Sequence, residues 1–288
     1  MQKQPQLIVV MGPTASGKTA YAIDLAKKYN AEIFSADSRQ FYAEMNIGVA
    51  KPTLEELEVA KHHFVGHISI QDEYTAGDFE RDCLAKLNGY FESNQSAILV
   101  GGSGLFIKAV LEGLDNFPKV DEKIRAELNN RLENEGLDSL KNELVKLDPV
   151  SFNSIELDNP RRVLRALEVC LSSGQPYSLF KNQAKAPRNF EVKKVVLKWD
   201  REMLYQRINT RVDDMIKAGL EEEAKSLNKF KHLKALNTVG YSELFEYFEG
   251  KCSRQFAIEK IKQHTRNYGK RQLTWLRKED GIEIVEMD

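Results

Sequence analysis

The sequence has few cysteines and no long apolar run. Its three cysteines, Cys83, Cys170 and Cys252, are odd in number and far apart. They therefore indicate neither a disulfide framework nor a thiolate metal site, and we expect each to be a small buried side chain. No run of about eighteen apolar residues, the length of a membrane-spanning helix, is present. The opening segment MQKQPQ lacks the layout of a signal peptide, so we expect a cytoplasmic protein without a membrane partner.

The chain also lacks an excess of charge of either sign. Its 42 Lys and Arg residues nearly balance 43 Asp and Glu residues, for a formal net charge of −1. That balance argues against a uniformly basic nucleic-acid-binding protein. Charge is nevertheless segregated along the chain, because acids are almost absent between Lys260 and Arg277. With 288 residues the chain can form one large or two modest globular domains.

The most specific motif lies near the start of the chain. An apolar run at 6–11 precedes GPTASGKT at 12–19, and a helix-period segment follows, giving the order strand, glycine loop, helix. The spacing G-x-x-x-x-G-K-T is that of loops whose backbone N–H groups surround phosphate oxygens at a helix N-terminus. Lys18 would add a positive charge, and the Thr19 hydroxyl would bind Mg²⁺. The loop does not distinguish a nucleotide from another diphosphate, and a plain strand-to-helix turn is the alternative.

A second predicted strand, residues 31–37, ends at Asp37. The carboxyl ends of parallel strands carry the chemistry of α/β proteins, so Asp37 is expected beside the glycine loop. Its carboxylate suits either Mg²⁺ binding or general-base catalysis on an acceptor, and a helix cap is the structural alternative. Further on, a predicted helix over 55–64 carries His62 and His63 on different faces without a partner at ligand spacing, which disfavours a metal site.

The middle of the first half repeats the opening order. After a short strand predicted over 67–70 and a helix from Thr75, a buried strand at 97–100 leads into the glycine turn GGSG at 101–104 and a helix from Leu105. This turn could place Ser103 on a phosphate or substrate, or it could be a plain tight turn. The alternation of strands and helices predicts a parallel sheet covered by helices on both faces.

The pattern changes after this point. Residues 119–182 contain no convincing strand and instead form three helix-period segments. We therefore predict a helical insertion over 119–189 between two parts of an α/β core, residues 1–118 and 190–288. Strand periodicity returns at 193–200.

A helix predicted over 202–218 carries Arg207 and Arg211 four residues apart on one face. The sequence leaves two interpretations open. The pair could form a surface salt-bridge ladder with Asp213 and Asp214, or it could clamp a departing phosphate.

The last predicted helix, residues 255–278, combines a packing stripe with two basic faces. At about 100° per residue the apolar stripe contains Ile258, Ile261, Tyr268, Trp275 and Leu276. One basic face contains Lys262, Arg266, Lys270 and Arg277, and the other contains Lys260, His264, Arg271 and Lys278. Such faces suit contact with a phosphate backbone, and a merely solvated basic helix is the alternative. An edge strand is predicted over 282–285.

With these motifs in place, the chain resembles the bacterial tRNA dimethylallyltransferases, which modify the adenosine just 3′ of the anticodon. The resemblance runs nearly from end to end. The motifs that carry it are GPTASGKT (12–19), DSRQ (37–40), GVAKP (48–52), DFERD (78–82), GGSG-LF-KA-LEGL (101–114), NPRRVLRALEV (159–169), VGY (239–241) and KRQ-TWLR (270–277). One departure is Ser103, where the family usually has Thr, but the hydroxyl is kept.

The resemblance implies a P-loop-type parallel sheet with helices on both faces, plus the helical insertion contacting tRNA. It implies transfer of the dimethylallyl group from dimethylallyl diphosphate to N6 of the adenosine, with pyrophosphate released and Mg²⁺ as cofactor. Asp37 would be the base, and Lys18 and Arg211 would act on the pyrophosphate. The residues implied to hold the diphosphate are Gly12, Pro13, Thr14, Ala15, Ser16, Gly17, Lys18 and Thr19.

The resemblance also implies a set of tRNA contacts. These residues are Asp37, Ser38, Arg39, Gln40, Ser103, Arg125, Asn159, Pro160, Arg161, Arg162, Val163, Gly240, Tyr241, Arg266, Lys270, Arg271 and Gln272. We expect the protein to act as a monomer. Two alternatives stay open: a small-molecule kinase that uses ATP, and a non-catalytic RNA-binding module, which would not need the phosphate loop and Asp37 together.

Overall fold

One sheet of six parallel strands organises the fold of residues 4–287, the part of the chain that this computed structural model describes. The strands are β1 (Gln6–Met11), β2 (Ile33–Ser35), β3 (His62–His63), β4 (Ser96–Gly101), β5 (Glu191–Lys198) and β6 (Ile282–Glu286). Their order is β3-β2-β4-β1-β5-β6. Because β1 lies between β4 and β5, the loop after it lies in the middle of the carboxyl edge, where α/β proteins bind ligands.

The described residues also form twelve α-helices. They are α1 (Lys18–Tyr29), α2 (Leu54–Val59), α3 (Ala76–Phe91), α4 (Gly104–Glu112), α5 (Glu122–Glu135), α6 (Leu137–Leu147), α7 (Pro149–Ser154), α8 (Pro160–Ser173), α9 (Arg201–Lys217), α10 (Leu220–Leu227), α11 (Tyr241–Phe248) and α12 (Arg254–Leu276). None of these helices combines the length and the apolar character needed to cross a membrane.

Helices cover both faces of the sheet, as predicted. Alternate residues of β1 point to opposite faces, so Val9 packs with Phe79 of α3 and its cluster, whereas Val10 packs with Ala22 of α1 and its cluster. All four side chains are fully buried, as is Leu99 of the neighbouring strand. Burying one such aliphatic side chain stabilises the fold by about 1.5–3 kcal/mol.

The described chain divides into two compact units. The smaller unit spans Gly113–Ala186, and the larger one consists of the chain before and after it. The smaller unit contains helices α5 to α8 around its own apolar core, which includes Leu128, Leu140, Leu144, Val163 and Leu167. Three of its four helices were predicted. The short helix α7 was missed, and buried Asp148 caps it by accepting from the N–H of Ser151 at 2.9 Å.

The segment between β2 and α3 differs from the prediction. Helix α2 ends at Val59, and His62 and His63 form β3, which pairs with β2. The ring of His63 lies 4.6 Å from that of Phe34, and its Nε2 is 2.5 Å from a Glu32 carboxylate oxygen. Pairing with an open sheet edge and burial of the imidazole outweigh the helical pattern of the local sequence.

Two smaller expectations are also wrong. Residues 67–70 form only an isolated bridge, between Tyr42 and Ile68, and not a strand of the sheet. Cys83 and Cys170 are buried as expected, but Cys252 is only half-buried. All three cysteines are free thiols.

Candidate active site at the phosphate loop

The phosphate loop connects β1 to α1 at the predicted position. The chain leaves the sheet after Met11 and enters α1 at Lys18. Gly17, which precedes the helix, has a φ of +85°, in the left-handed region that glycine adopts without steric cost. Ala15 also has a positive φ, +63°. A non-glycine residue in this region stores strain, which the surrounding contacts must hold in place.

Two side chains from outside the loop hold its backbone carbonyls. Trp199 donates from its indole Nε1 to the carbonyl of Ser16 at 3.0 Å, and Arg207 donates from Nε to the carbonyl of Ala15 at 2.9 Å. The Arg207 guanidinium also lies 4.1 Å from the centre of the Trp199 ring, as a cation–π pair. Trp199 and Arg207 therefore support the strained part of the loop.

The sequence left open whether Arg207 and Arg211 form a salt-bridge ladder with Asp213 and Asp214, and the structure shows that they do not. Asp213 pairs with Lys262 and Asp214 with Lys217, so the aspartates do not form the ladder with Arg207 and Arg211. Arg207 supports the loop from outside, which the periodicity did not suggest. Arg211, one helical turn further, faces the charged groups of the site.

The hydroxyl of Ser16 is a buried polar group at the loop. Ser16 is fully buried, and among the described residues its Oγ has no hydrogen-bond partner. A β-carbon at Gly12 would lie 2.7 Å from this Oγ, so glycine is required there. An unpaired buried donor costs about 1–3 kcal/mol. Its position in a loop with phosphate-binding spacing suits an anionic oxygen as partner.

Three charged groups meet beside the loop. The ammonium of Lys18 donates to the carbonyl of Pro13 at 2.6 Å. Burial, and secondly the positive charge of Arg211, lower the pKa of Lys18 to about 7, against the opposing effect of Asp37. Burial also lowers the pKa of Arg211, while Asp37 raises it. The fold therefore brings the three predicted catalytic residues within electrostatic reach of one another.

Asp37 lies two residues after β2, which ends at Ser35 and not at Asp37 as predicted. Its Oδ1 accepts from the backbone N–H of Arg39 at 2.9 Å, and the residues that follow form turns, so Asp37 does not cap a helix. Ser103 Oγ lies 3.5 Å from both the N–H and the hydroxyl of Ser38. The GGSG turn thus lies next to the segment that carries Asp37.

Tyr268 is a site residue that the sequence did not single out. The helical period placed it in the apolar stripe of α12, yet its hydroxyl lies near Ser103 and within electrostatic reach of Asp37. Burial raises the pKa of Tyr268, and the negative charge of Asp37 raises it further. The ring itself is partly exposed. Only the position of the helix relative to the sheet, which periodicity does not give, brings this hydroxyl to Asp37.

The oxygen donors near the loop are few but suited to Mg²⁺. Thr19 lies in the first turn of α1, and Asp37 lies within electrostatic reach of the adjacent Lys18. Within residues 4–287 no group of three His, Cys, Asp or Glu could hold a metal. Magnesium at phosphate sites commonly uses one or two protein oxygens together with phosphates and water. This donor set fits Mg²⁺ bound to a diphosphate.

Two residues with predicted tRNA contacts also hold neighbouring backbone. The Arg39 guanidinium donates to the carbonyls of Lys234, Ala235 and Asn237 at 3.2, 2.9 and 3.3 Å. Gln40 donates from Nε2 to the carbonyl of Ala50 at 2.9 Å. These bonds join the segment after Asp37 to residues 234–237 and to the GVAKP motif.

Some predicted tRNA contacts are buried. Tyr241 is fully buried, and its hydroxyl donates to Glu223 at 2.6 Å. Val163 is fully buried in the core of the smaller unit. Their side chains are corrections to the prediction, because packing has removed them from the surface. The N–H of Gly240 donates to Glu243 at 2.8 Å, at the start of α11.

The smaller unit nevertheless exposes a basic helix start. Pro160, Arg161 and Arg162 are exposed at the first turn of α8, and Asn159 is half-buried before them. Arg125 is paired with Glu168 at 3.2 Å. The positive charge of this turn is therefore at the surface, whereas Val163, the apolar residue that follows it, is buried.

The cations of α12 fall into two groups. Arg266 donates to the Asn209 side chain at 2.6 Å and is half-buried. Lys270 and Arg271 are exposed, with their charged groups about 6 Å above the rings of Tyr205 and Tyr268. Gln272 is buried, and both its amide atoms bond within the protein. Of these four predicted contacts, Lys270 and Arg271 are the ones free to meet a phosphate backbone.

A cavity of about 680 Å³ adjoins Arg211. Its walls are largely apolar and come from the segment after β2, from α2 and from α9. The lining residues include Ile47, Pro52, Leu54, Leu57, Met215 and Arg211. A cavity of this kind suits a hydrocarbon group whose charged end lies near Arg211.

Fold and site together define a P-loop-type α/β protein whose phosphate loop is accompanied by a lysine, a carboxylate and an arginine. A family model described as IPP transferase matches residues 40–279. A tRNA dimethylallyltransferase from Christiangramia forsetii is 52% identical, with 98% of this chain and 93% of the relative covered. The tRNA dimethylallyltransferase of Flavobacterium johnsoniae is 49% identical, with coverages of 96% and 91%.

Two solved structures are also similar. The full-length tRNA isopentenylpyrophosphate transferase from Bacillus halodurans has a TM-score of 0.71 at 34% identity, covering 99% of this chain and 90% of that one. A eukaryotic dimethylallyltransferase acting on tRNA has a TM-score of 0.83 at 28% identity, with coverages of 98% and 74%. The chain belongs to the IPP transferase family of tRNA dimethylallyltransferases.

Proposed function

We propose that the protein transfers the dimethylallyl group of dimethylallyl diphosphate to N6 of the adenosine just 3′ of the anticodon in tRNA, and releases pyrophosphate. The observation that carries this proposal is the meeting of Lys18, Arg211 and Asp37 beside the phosphate loop. Two cations there suit a diphosphate leaving group, and a carboxylate suits an amine that must lose a proton. The relatives named above as tRNA dimethylallyltransferases support the same reaction.

The proposed chemistry assigns one role to each group. The amine lone pair attacks C1 of the dimethylallyl group, a C–N bond forms, and the C1–O bond breaks with its electrons leaving on pyrophosphate. Asp37 orients the amine and accepts its proton. Lys18 and Arg211 stabilise the charge that grows on the leaving oxygen, where electrostatic catalysis acts most strongly. The adenine amine is a poor nucleophile, since its lone pair is delocalised into the ring, so a base is needed.

We propose Thr19 and Asp37 as the nearest protein oxygens for Mg²⁺. When bound, Mg²⁺ would neutralise part of the diphosphate charge. Asp37 then has two possible roles, and the measurements described in the Discussion separate them. The Ser16 hydroxyl, buried without a partner among the described residues, is proposed to donate to a phosphate oxygen.

We propose that exposed cations on each compact unit contact tRNA. In the larger unit these are Lys270 and Arg271 of α12, and in the smaller unit they are Arg161 and Arg162. Each neutralised phosphate releases counterions, so these residues would set the salt dependence of binding. A base that reacts at its exocyclic amine must leave its stack, which favours an unpaired loop nucleotide.

We further propose that the protein is a cytoplasmic monomer, because Lys18, Asp37 and Arg211 meet without a contribution from a second copy. Light scattering after size-exclusion chromatography, with and without tRNA, tests this proposal. A stable dimer under both conditions would contradict it.

The function itself is tested by incubating the protein with bulk tRNA, Mg²⁺ and either dimethylallyl diphosphate or ATP. Mass spectrometry of the digested nucleosides should show adenosine heavier by one dimethylallyl group with the first donor alone. Release of ADP with a phosphorylated small molecule would instead support the kinase. Binding of tRNA with neither product would support an RNA-binding module.

A further inference from the structure

Three side chains of α12 cover the second glycine turn. Tyr268, Gln272 and Trp275 are spaced four and three residues apart, so they lie on one face of the helix. The hydroxyl of Tyr268 lies near Ser103. Side chains at the two neighbouring glycines would collide with the other two: a β-carbon at Gly102 would lie 2.2 Å from Gln272 Nε2, and one at Gly104 would lie 2.5 Å from the Trp275 ring. These glycines are therefore required by the helix that packs on them.

Gln272 also reaches the phosphate loop. Its Oε1 accepts from the backbone N–H of Thr14 at 2.8 Å, and its Nε2 donates to the carbonyl of Gly102 at 2.9 Å. One partner can only donate and the other can only accept, so the orientation of the amide is fixed. The side chain is buried, with 6% of its surface exposed. It bridges two loops that follow different strands, and it comes from a third element more than 150 residues away in sequence.

We propose that Gln272 is a positioning residue for diphosphate binding, which fixes the phosphate loop and does not contact tRNA. Ordering one backbone residue costs about 1–2 kcal/mol. A side chain that holds Thr14 in the folded loop removes that cost before the diphosphate arrives. It also occupies one N–H of the loop, and so determines which N–H groups remain for phosphate oxygens. This proposal rests on the proposed function only in taking the ligand of the phosphate loop to be a diphosphate.

The test measures binding of Mg²⁺-pyrophosphate without tRNA, by isothermal titration calorimetry. Gln272→Ala should weaken binding about tenfold, as expected for the loss of two hydrogen bonds that order the loop. Its affinity for tRNA, measured separately by fluorescence anisotropy, should stay within about twofold of the original protein. In steady-state assays KM for dimethylallyl diphosphate should rise, while KM for tRNA should not.

Two further variants make the test specific. Gly102→Ala leaves Gln272 in the chain but displaces its amide, so it should weaken pyrophosphate binding similarly, and the double variant should be no weaker than Gln272→Ala alone. Gln272→Met keeps the length of the side chain and loses both hydrogen bonds without adding a charge, so it should show a loss similar to that of Gln272→Ala. This variant also serves if Gln272→Ala does not fold.

Lys270→Ala is the matched control on the exposed side of the same helix. It should weaken tRNA binding and leave pyrophosphate binding unchanged. The inference is overturned if the Gln272 variants bind pyrophosphate normally, or if they lose tRNA affinity instead. Pyrophosphate binding needs no prenyl transfer, so failure of the proposed reaction would leave this result interpretable.

Discussion

Two glycine turns follow neighbouring strands of the sheet, with the same order of strand, turn and helix, but they are used differently. At the phosphate loop, Arg207 and Trp199 hold the carbonyls of Ala15 and Ser16 from outside, and the Ser16 hydroxyl is buried without a partner among the described residues. At the second turn, residues 101–104, side chains of α12 occupy the space above the glycines.

The difference shows that a glycine in a turn indicates that some group lies close to the backbone there. It does not indicate whether that group is a ligand or another part of the protein. At the second turn the approaching group is a helix from the far end of the chain. At the first, a lysine with a lowered pKa, an arginine and a carboxylate gather around the loop. Only the charged groups around a turn distinguish a ligand site from a packing site.

The largest expected effect is at the first turn. Asp37→Ala should lower turnover at saturating substrates by about 10²-fold or more, as for a lost general base, with pyrophosphate affinity nearly unchanged. Single-turnover prenylation of tRNA measures the rate, and calorimetry measures the affinity. If Asp37→Ala abolishes Mg²⁺-pyrophosphate binding yet spares turnover at saturation, Asp37 is a metal ligand and not the base.

Substitutions of the two arginines of α9 should have different effects, on turnover for Arg211 and on pyrophosphate binding for Arg207. Arg211→Ala should lower turnover by about 10²-fold, because charge on the leaving group loses a partner. Arg207→Ala should mainly weaken pyrophosphate binding, by about tenfold, because the carbonyl of Ala15 loses its donor. Kinetics with varied dimethylallyl diphosphate distinguish a loss in kcat from a rise in KM. Equal losses of kcat in both variants would contradict this division.

At the second turn, Gly104 should affect stability and not ligand binding, unlike Gly102, which contacts Gln272. Gly104→Ala places a methyl group 2.5 Å from the Trp275 ring, so the helix must shift. Overpacking of this kind costs about 1–3 kcal/mol of unfolding free energy, which thermal denaturation measures. Gly89→Ala is the control, since an added β-carbon there meets no atom within 4 Å. A stable Gly104→Ala variant that fails to bind pyrophosphate would make the second turn a ligand site.

The sequence predicts the local elements of both turns, since strand, loop and helix follow from periodicity and glycine spacing. It also predicts the residues that meet at the sheet edge, because parallel strands end there. It does not predict that Gln272 is buried, that Arg207 supports the loop or that Tyr268 reaches Ser103. Each of these depends on how far α9 and α12 lie from the sheet, a tertiary distance that leaves no local pattern.

The same limit explains the β3 error. A dipeptide of His62 and His63 has no strand pattern, and its pairing with β2 is decided by an open sheet edge elsewhere in the chain. The burial of Tyr241 could not be predicted for the same reason. It packs against Gly48 and bonds to Glu223, so its environment depends on three segments that are distant in sequence.

The smallest expected effect concerns protons at Lys18. Its pKa of about 7 lies below the ordinary value of 10.5, so near neutral pH about half of the ligand-free protein carries a neutral Lys18. A bound diphosphate favours the charged form, so binding should take up about half a proton at pH 7, nearly one at pH 8.5 and almost none at pH 5.5. Calorimetry in buffers of different ionisation enthalpy measures this number.

Lys18→Arg is the matched control, because arginine stays protonated across this range and should abolish the uptake beyond that of pyrophosphate itself. The same lowered pKa has a consequence for folding. The unfolded chain binds the Lys18 proton more tightly than the folded one, so this residue makes the free energy of unfolding rise as pH increases from about 7 to 10.5. Proton uptake by Lys18→Arg equal to that of the original protein would show that the ammonium is already charged before the diphosphate binds. The phosphate affinity of the first turn would then depend on a permanently charged Lys18, and burial of Lys18 would not change that affinity.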